Sequence, residues 1–351
     1  MALGVLSGCR DSTKARAMTA NTPVTLLACE HNVNENTPRD GLQFLRDASE
    51  KDKPWDEHKT FTAQLSKAFE AARLHGPTAR LRDCAEALFF GLVKGEQGEV
   101  SFKLRSAPFC HYRHCPVCAW RRGLKRKAIA MAAFPEILDA YPTARFAFLT
   151  LTVKNCNVTD LRATLADMTK AWKRLLLRQE WPALGWIRAT EVTLGKDGNA
   201  HPHFHVLLML PASYFSTGYI TQRRWTELWQ EAGRLDYKPR VDIRVIKAKS
   251  GSVDRKDAIA SAISEVLKYP TKVTDLISAG PDWLREFVKQ VRSLKFTASG
   301  GVLKGILKAT DDDEDEDLVH VSEDEEAGQE PDDLLAFHYR KAHSKYARKR
   351  T

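Results

Sequence analysis

Along the first third of the chain, apolar residues fall three and four positions apart: Phe61, Leu65, Phe69 and Ala72, then Leu81, Ala85 and Leu88. That period belongs to one face of a helix and predicts helix over about residues 57–92. A cysteine-rich stretch follows to residue 118, and a basic, alanine-rich helix is predicted over about 119–134. The pattern then changes. RFAFLTLTV (145–153), GWIRATEVTL (185–194), PHFHVLLML (202–210) and VDIRVIKA (241–248) read as strands. Between them run helical stripes, with Leu161, Leu165, Met168, Trp172, Leu175 and Leu176 over 159–181, then a helix over 221–235; another helix follows at 255–269. GKDGNAH, between the second and third strands, is a hairpin signal. Trp172, Trp225 and Trp229 sit at helical spacing and read as core residues. The order β-α-β-β-α-β predicts an α+β domain: a ferredoxin-like (RRM-like) split βαβ antiparallel sheet with helices on one face.

Residues 1–56 are polar and aperiodic and are expected to be mostly disordered. The rest divides into a helical, cysteine-rich segment (57–135), the sheet domain (136–310), an acidic tail (311–333) and a basic C-terminal segment (334–351). Charge sharpens this picture. The net charge is +9, yet residues 311–333 hold 14 acidic side chains and no Lys or Arg, which leaves the remainder near +23. So basic a body is expected to bind a polyanion. Clustering in RRGLKRK (121–127) favours nucleic acid, with Arg121, Arg122, Lys125, Arg126 and Lys127 as candidate phosphate contacts. The acidic run is expected to be a disordered tail that shields the basic body from non-specific DNA.

No apolar run approaches the roughly 20 residues of a membrane-spanning helix. LSGC at 6–9 lacks the preceding basic residue and the long apolar core of a signal sequence. A cytoplasmic location is therefore expected, with the seven cysteines as thiols or metal ligands and not as disulfides. Cys110, Cys115 and Cys118 follow a C-x4-C-x2-C spacing, with Cys84 upstream. Four thiolates would satisfy a closed, tetrahedral structural zinc site, with His111 or His114 as substitutes for Cys84. Such a module beside RRGLKRK would either dock DNA or brace the sheet.

His201, His203 and His205 alternate along a strand, so they share one face while Phe204, Val206 and Leu208 share the other. Two imidazoles at i and i+2 can bind one divalent ion, and a carboxylate would complete a site with positions open for a substrate oxygen. Glu191 on the preceding strand is the best-situated carboxylate. A two-residue Asp197–Gly198 turn would set it opposite Phe204, on the wrong face; a longer loop of odd length, the expected case, aligns it with His203 or His205. In SEVLKYPTK, Glu265 and Tyr269 lie at i and i+4 on a helix, with Lys268 and Lys272 near them. Pro270 disfavours helical geometry at Tyr269, which puts the phenol at the helix end.

FLTLTVKN (148–155), HPHFHVLLML (201–210) and EVLKYPTK (265–272), preceded by FCHYRHCPVCAWRR (109–122), carry a resemblance. Over about residues 80–310 the chain resembles the rolling-circle replication initiators of small bacterial plasmids, in the single-tyrosine-plus-glutamate branch of the HUH endonuclease superfamily. The resemblance implies an HUH fold and a nickase that cuts one strand at a double-strand origin, becomes joined to it through a 5′-phosphotyrosyl link and frees a 3′-OH primer. It implies His203 and His205, with Glu191, as ligands of Mg²⁺ or Mn²⁺, Tyr269 as nucleophile, Glu265 acting on water in the terminating cleavage, and Lys268 holding phosphate. Single-stranded origin DNA, a host helicase and a DNA polymerase are the implied partners. An HUH transposase would share the site, and a non-catalytic, zinc-dependent DNA-binding regulator would share the basic and cysteine-rich features.

Overall fold

Two five-stranded antiparallel sheets organise the computed structural model, which describes residues 41–94, 100–246, 255–266, 271–306, 317–321 and 334–349. In chain order the elements are β1 (Leu42–Phe44), α1 (Leu45–Ala48), α2 (Pro54–Ala71), α3 (His75–Asp83), β2 (Ala87–Lys94), β3 (Val100–Ser106) and α4 (Pro116–Ala140). Next come β4 (Arg145–Thr152), α5 (Leu161–Leu176), β5 (Gly185–Leu194), β6 (Ala200–Leu210), α6 (Gln222–Gly233), β7 (Val241–Val245) and α7 (Arg255–Val266). α8 (Val273–Ser278), α9 (Pro281–Gln290), β8 (Thr297–Gly301), β9 (Leu334–Arg340) and β10 (Lys345–Lys349) complete the series.

The second sheet runs β7-β4-β6-β5-β8. Its first four strands are the predicted split βαβ arrangement, with β6 inserted between the two strands that α5 connects; β8 adds an edge strand beside β5. Phe204, Val206 and Leu208 of β6 are buried under α5 and α6 with Leu165, Met168, Trp172, Trp225 and Trp229. The tryptophans are core residues with their polar ends satisfied: Trp229 Nε1 donates to the Thr152 carbonyl at 2.8 Å and Trp225 Nε1 to Tyr214 Oη at 3.1 Å.

Helices cover more than the expected single face. Ile187, Leu207 and Met209, on the histidine side of the sheet, pack with Ala130 and Phe134 of α4 and with Ile259 and Ile263 of α7. The reason is legible in the side chains: the histidine face turns apolar after His205, and exposed Leu and Met would cost roughly 1.5–3 kcal/mol each. The two helices therefore cover one end of that face.

Three other expectations are corrected. Residues 87–92, drawn into the helical pattern by Leu88, form β2 instead; ALFFGLV is rich in aromatic and apolar side chains, and β2 pairs with both β3 and the distant β9. The C-terminal basic segment is part of the first sheet. Its β9–β10 hairpin occupies the middle of the first sheet, ordered β1-β10-β9-β2-β3, and buries Phe337 and Tyr346. β1 and the start of α2 likewise give structure to residues 41–56: Trp55 is buried against Trp120 and Tyr346, and Asp56 Oδ1 accepts from the Tyr346 amide at 2.8 Å.

Part of the acidic run is also built in. Leu318 and Val321 are buried, and Arg121 donates to the carbonyls of Leu318 at 2.8 Å and Val319 at 2.6 Å. Two apolar side chains and a buried guanidinium needing acceptors hold this short piece to α4. Residues 1–40, 311–316 and 322–333, where disorder was expected, lie outside the described residues.

Candidate functional site

The β5–β6 hairpin closes through residues 195–199, an odd-length loop, and the pairing runs Leu194 opposite Ala200. Counting back, Glu191 stands directly opposite His203, on the histidine face. The three side chains converge. Glu191 Oε2 lies 3.2 Å from His203 Nε2 and 2.9 Å from His205 Nε2, and the two Nε2 atoms are 3.1 Å apart. One ligand atom from each residue fits within a 4.8 Å span, a grouping that could hold a metal ion.

The far side of each ring is occupied, which turns Nε2 inward. His203 Nδ1 lies 3.2 Å from the His201 carbonyl, so it carries the proton and donates. His205 Nδ1 lies 3.3 Å from Thr150 Oγ1, and Thr150 faces His205 across the β4–β6 pair. His201 does not join the group. Its Nδ1 hydrogen-bonds Asn155 Oδ1 at 2.6 Å, and Asn155 is held in turn by Asp197 at 3.0 Å. Thr150 and Asn155 were missed by reasoning from the histidines alone. The available signal was polar residues in FLTLTVKN, where Thr150 and Thr152 interrupt an apolar strand at the positions paired with His205 and His203.

Burial pushes the Glu191 carboxyl up, but hydrogen bonds from His203 and His205 and their charge outweigh it and hold the group at about 2, against an ordinary 4.5. A carboxyl depressed on folding stabilises the fold at pH above its unfolded value, and that contribution is lost as pH falls from about 4.5 through about 2. The shift corresponds to about 3 kcal/mol. Glu191→Gln should therefore flatten the acid side of the stability profile. Urea midpoints of both proteins at pH 5 and pH 3 measure this; equal losses on acidification would mean Glu191 is not held as described.

The second grouping is Cys84, Cys110, Cys115 and Cys118, all within the same 4.8 Å span. Cys84 closes α3, Cys110 lies in the loop after β3, and Cys115 caps α4 with Pro116 at the first helical position. Sulfur separations are 3.5 Å for Cys84–Cys118, 3.5 Å for Cys84–Cys115 and 3.7 Å for Cys110–Cys118. The buried Lys59 ammonium donates to the Cys84 carbonyl at 2.6 Å and fixes that corner. Hydrogen bonding among the sulfurs, with burial, raises the Cys84 and Cys118 thiols well above their ordinary value. Several thiolates can coexist there only with a cation.

The expected DNA contacts divide by burial. Arg121 and Arg122 are buried and spent on protein carbonyls, Arg122 on that of His111 at 2.7 Å, so neither presents its charge to a phosphate. Helical spacing alone could not distinguish the inner face of α4 from the outer. Lys125, Arg126 and Lys127 are half-buried, and Lys125 donates to the Asp317 carbonyl at 2.9 Å; Lys272 is exposed. Glu265 is exposed on the last turn of α7, while Lys268 and Tyr269 lie outside the described residues.

The fold and these two groupings define an α+β protein with a carboxylate and two imidazoles gathered on an open sheet face and a four-sulfur cluster bracing the helix beside it. The chain belongs to the replication protein family, whose profile matches residues 101–347. It is 33% identical over 302 residues to "Protein rep" of Lactiplantibacillus plantarum, covering 81% of this chain and 91% of that protein. "Protein rep" of Streptococcus pneumoniae serotype 2 is 32% identical over 283 residues, 78% of this chain and 85% of the relative. A "Replication protein" of Staphylococcus aureus is 34% identical over 214 residues, 58% of this chain and 90% of the relative. No solved structure matches significantly. Among the described residues no helix is long and apolar enough to cross a membrane.

Proposed function

We propose that this replication protein initiates rolling-circle replication of a plasmid by nicking one strand of the double-strand origin and joining itself to the 5′ end. The observation that carries the reading is the convergence of Glu191, His203 and His205 on the sheet face against which α7 packs, the helix that runs toward Tyr269 in the sequence. Two imidazoles and a carboxylate would hold one divalent ion, Mg²⁺ or Mn²⁺ in this reading, with open positions for a substrate oxygen. When bound, such an ion supplies charge that polarises a non-bridging phosphate oxygen.

The remaining steps belong to the chain's own groups. Tyr269 Oη attacks the scissile phosphorus and loses its proton as the new P–O bond forms; the leaving 3′ oxygen takes up a proton and becomes the primer 3′-OH. Lys268 and Lys272 offset charge on the phosphate. In the terminating cleavage Glu265 takes a proton from water, so that hydrolysis replaces a second lasting adduct. A host helicase and polymerase would open the duplex and extend the 3′-OH. The cysteine group suits zinc: a tetrahedron with bonds of ~2.3 Å has edges near ~3.8 Å, close to the sulfur separations of 3.5–3.7 Å.

The test is incubation with short single strands tiled across the origin region, with Mg²⁺, Mn²⁺ or EDTA, resolved on a denaturing gel. A metal-dependent protein–DNA adduct that Tyr269→Phe abolishes is expected, and Glu265→Gln should still nick while terminating poorly. DNA binding with no adduct under any metal would replace this reading with a zinc-dependent regulator.

A further inference from the structure

Beside the end of β4, between α5 and the C-terminal end of α6, lies a cavity of about 510 Å³. That volume lies within the range of small-molecule sites. Its lining is cationic. Lys154, Lys170, Arg174 and Arg234 border it against one carboxylate, Asp167.

The protein uses these charges only in part. Lys170 pairs with Asp167 at 2.9 Å. Arg174 spends Nε on the Ala232 carbonyl at 2.6 Å, and its terminal nitrogens have no acceptor among the described residues. The Lys154 ammonium sits 4.1 Å from the centroid of the Tyr237 ring. Arg234 is exposed, and its side chain has no hydrogen bond or ion pair among the described residues.

Arg234 also occupies a position that ordinarily takes glycine. It caps α6 at φ 53°, ψ 42°, in the left-handed region, although Gly233 immediately precedes it.

The cavity lies on the α5–α6 side of the sheet, and the segment after β4 links it to the histidine row on the other face. Residues 154–156 alternate in direction: Asn155 bonds His201, while Lys154 and Cys156 line the cavity. A strand lying over His201 therefore reaches the cavity by passing over the end of the sheet.

We propose that this cavity binds one nucleotide of the single-stranded DNA flanking the scissile phosphate. Arg174, Arg234 and Lys154 take the phosphate, a contact that carries no sequence information. The inference rests on the nicking reading above.

Cys156 supplies a reporter that does not depend on activity. Full-length protein without added Mg²⁺ or Mn²⁺ is treated with iodoacetamide, with and without 30-nucleotide single strands tiled across the origin region, and Cys156 alkylation is followed by peptide mass spectrometry. With a bound strand at ten times its Kd, mass action leaves about one site in ten open, so alkylation should slow about tenfold. Arg174→Gln combined with Arg234→Gly should lower the slope of log affinity against log salt by up to about 0.7, the value for one lost phosphate contact on a single strand. Arg234→Gly alone relieves the left-handed strain, so its weaker binding, with Tm unchanged or raised, would report lost charge and not unfolding.

Strands that are bound and nicked with Cys156 unprotected and the slope unchanged would overturn the proposal and leave the nicking reading intact. Protection by dTMP or inorganic phosphate as strong as that by the strands would also overturn it, in favour of a site for a free anion. Protection without any tyrosyl adduct would support the cavity as a DNA site while removing the nicking reading.

Discussion

Replacing Cys118 by serine, or stripping the ion with a zinc chelator, is expected to unfold the module built on α2, α3 and the start of α4. The four sulfurs join the end of α3, the loop after β3 and the first turn of α4, and three of the four cysteines are fully buried. In small structural sites, zinc binding contributes roughly 10–16 kcal/mol of folding free energy, comparable with the whole 5–15 kcal/mol net stability of a typical protein. The damage should spread beyond the cysteines. α4 runs from the cluster to Ala130 and Phe134, which pack on the histidine side of the second sheet, so losing its first turn loosens the cover over Leu207 and Met209. Zinc release followed with a chromogenic chelator, alongside hydrogen exchange of residues 54–140, reads both events. Release of no zinc, or a Cys118→Ser protein with unchanged Tm, would show that the cluster is only a set of buried thiols.

His205→Ala is expected to slow strand cleavage by about 10²–10³-fold, the usual cost of removing one preorganised group that stabilises charge in a transition state. Thr150→Val should slow it less, by about 10–100-fold, because Thr150 acts through the orientation of the His205 ring. Binding of single strands should change little in either variant, since affinity for a polyanion comes from Lys and Arg contacts to phosphates. Single-turnover cleavage, with binding measured without added Mg²⁺ or Mn²⁺, separates the two effects. Raising Mn²⁺ should partly rescue Thr150→Val, whose donor atoms are all present, more than His205→Ala. Cleavage by His205→Ala at the unaltered rate would exclude the Glu191–His203–His205 group from the reaction.

Much of the histidine-bearing sheet was legible because its signals are local. The β5 bounds predicted from GWIRATEVTL coincide with those observed, and β6 differs only at its start. The alternation of His201, His203 and His205 with Phe204, Val206 and Leu208 assigned both faces of β6, because a strand has a period of two. Spacing also brought Cys110, Cys115 and Cys118 together, and Cys84 joined them as proposed. The basic cluster was half legible: the composition of RRGLKRK was plain, but burial of Arg121 and Arg122 depends on what lies against α4.

By itself, then, the sequence determined the strand and helix periods of the β-α-β-β-α-β unit, the sharing of one face by the histidines and the cysteine spacing, since each depends on neighbours a few residues apart. Only the tertiary structure decided the rest. The length of the β5–β6 loop set the register that puts Glu191 opposite His203. Pairing of β2 with β9, some 250 residues onward, made the C-terminal segment part of a sheet. Packing of Leu318 turned a piece of an acidic run into a partner for Arg121. Each outcome depends on contacts between segments far apart in the chain, which no local period encodes.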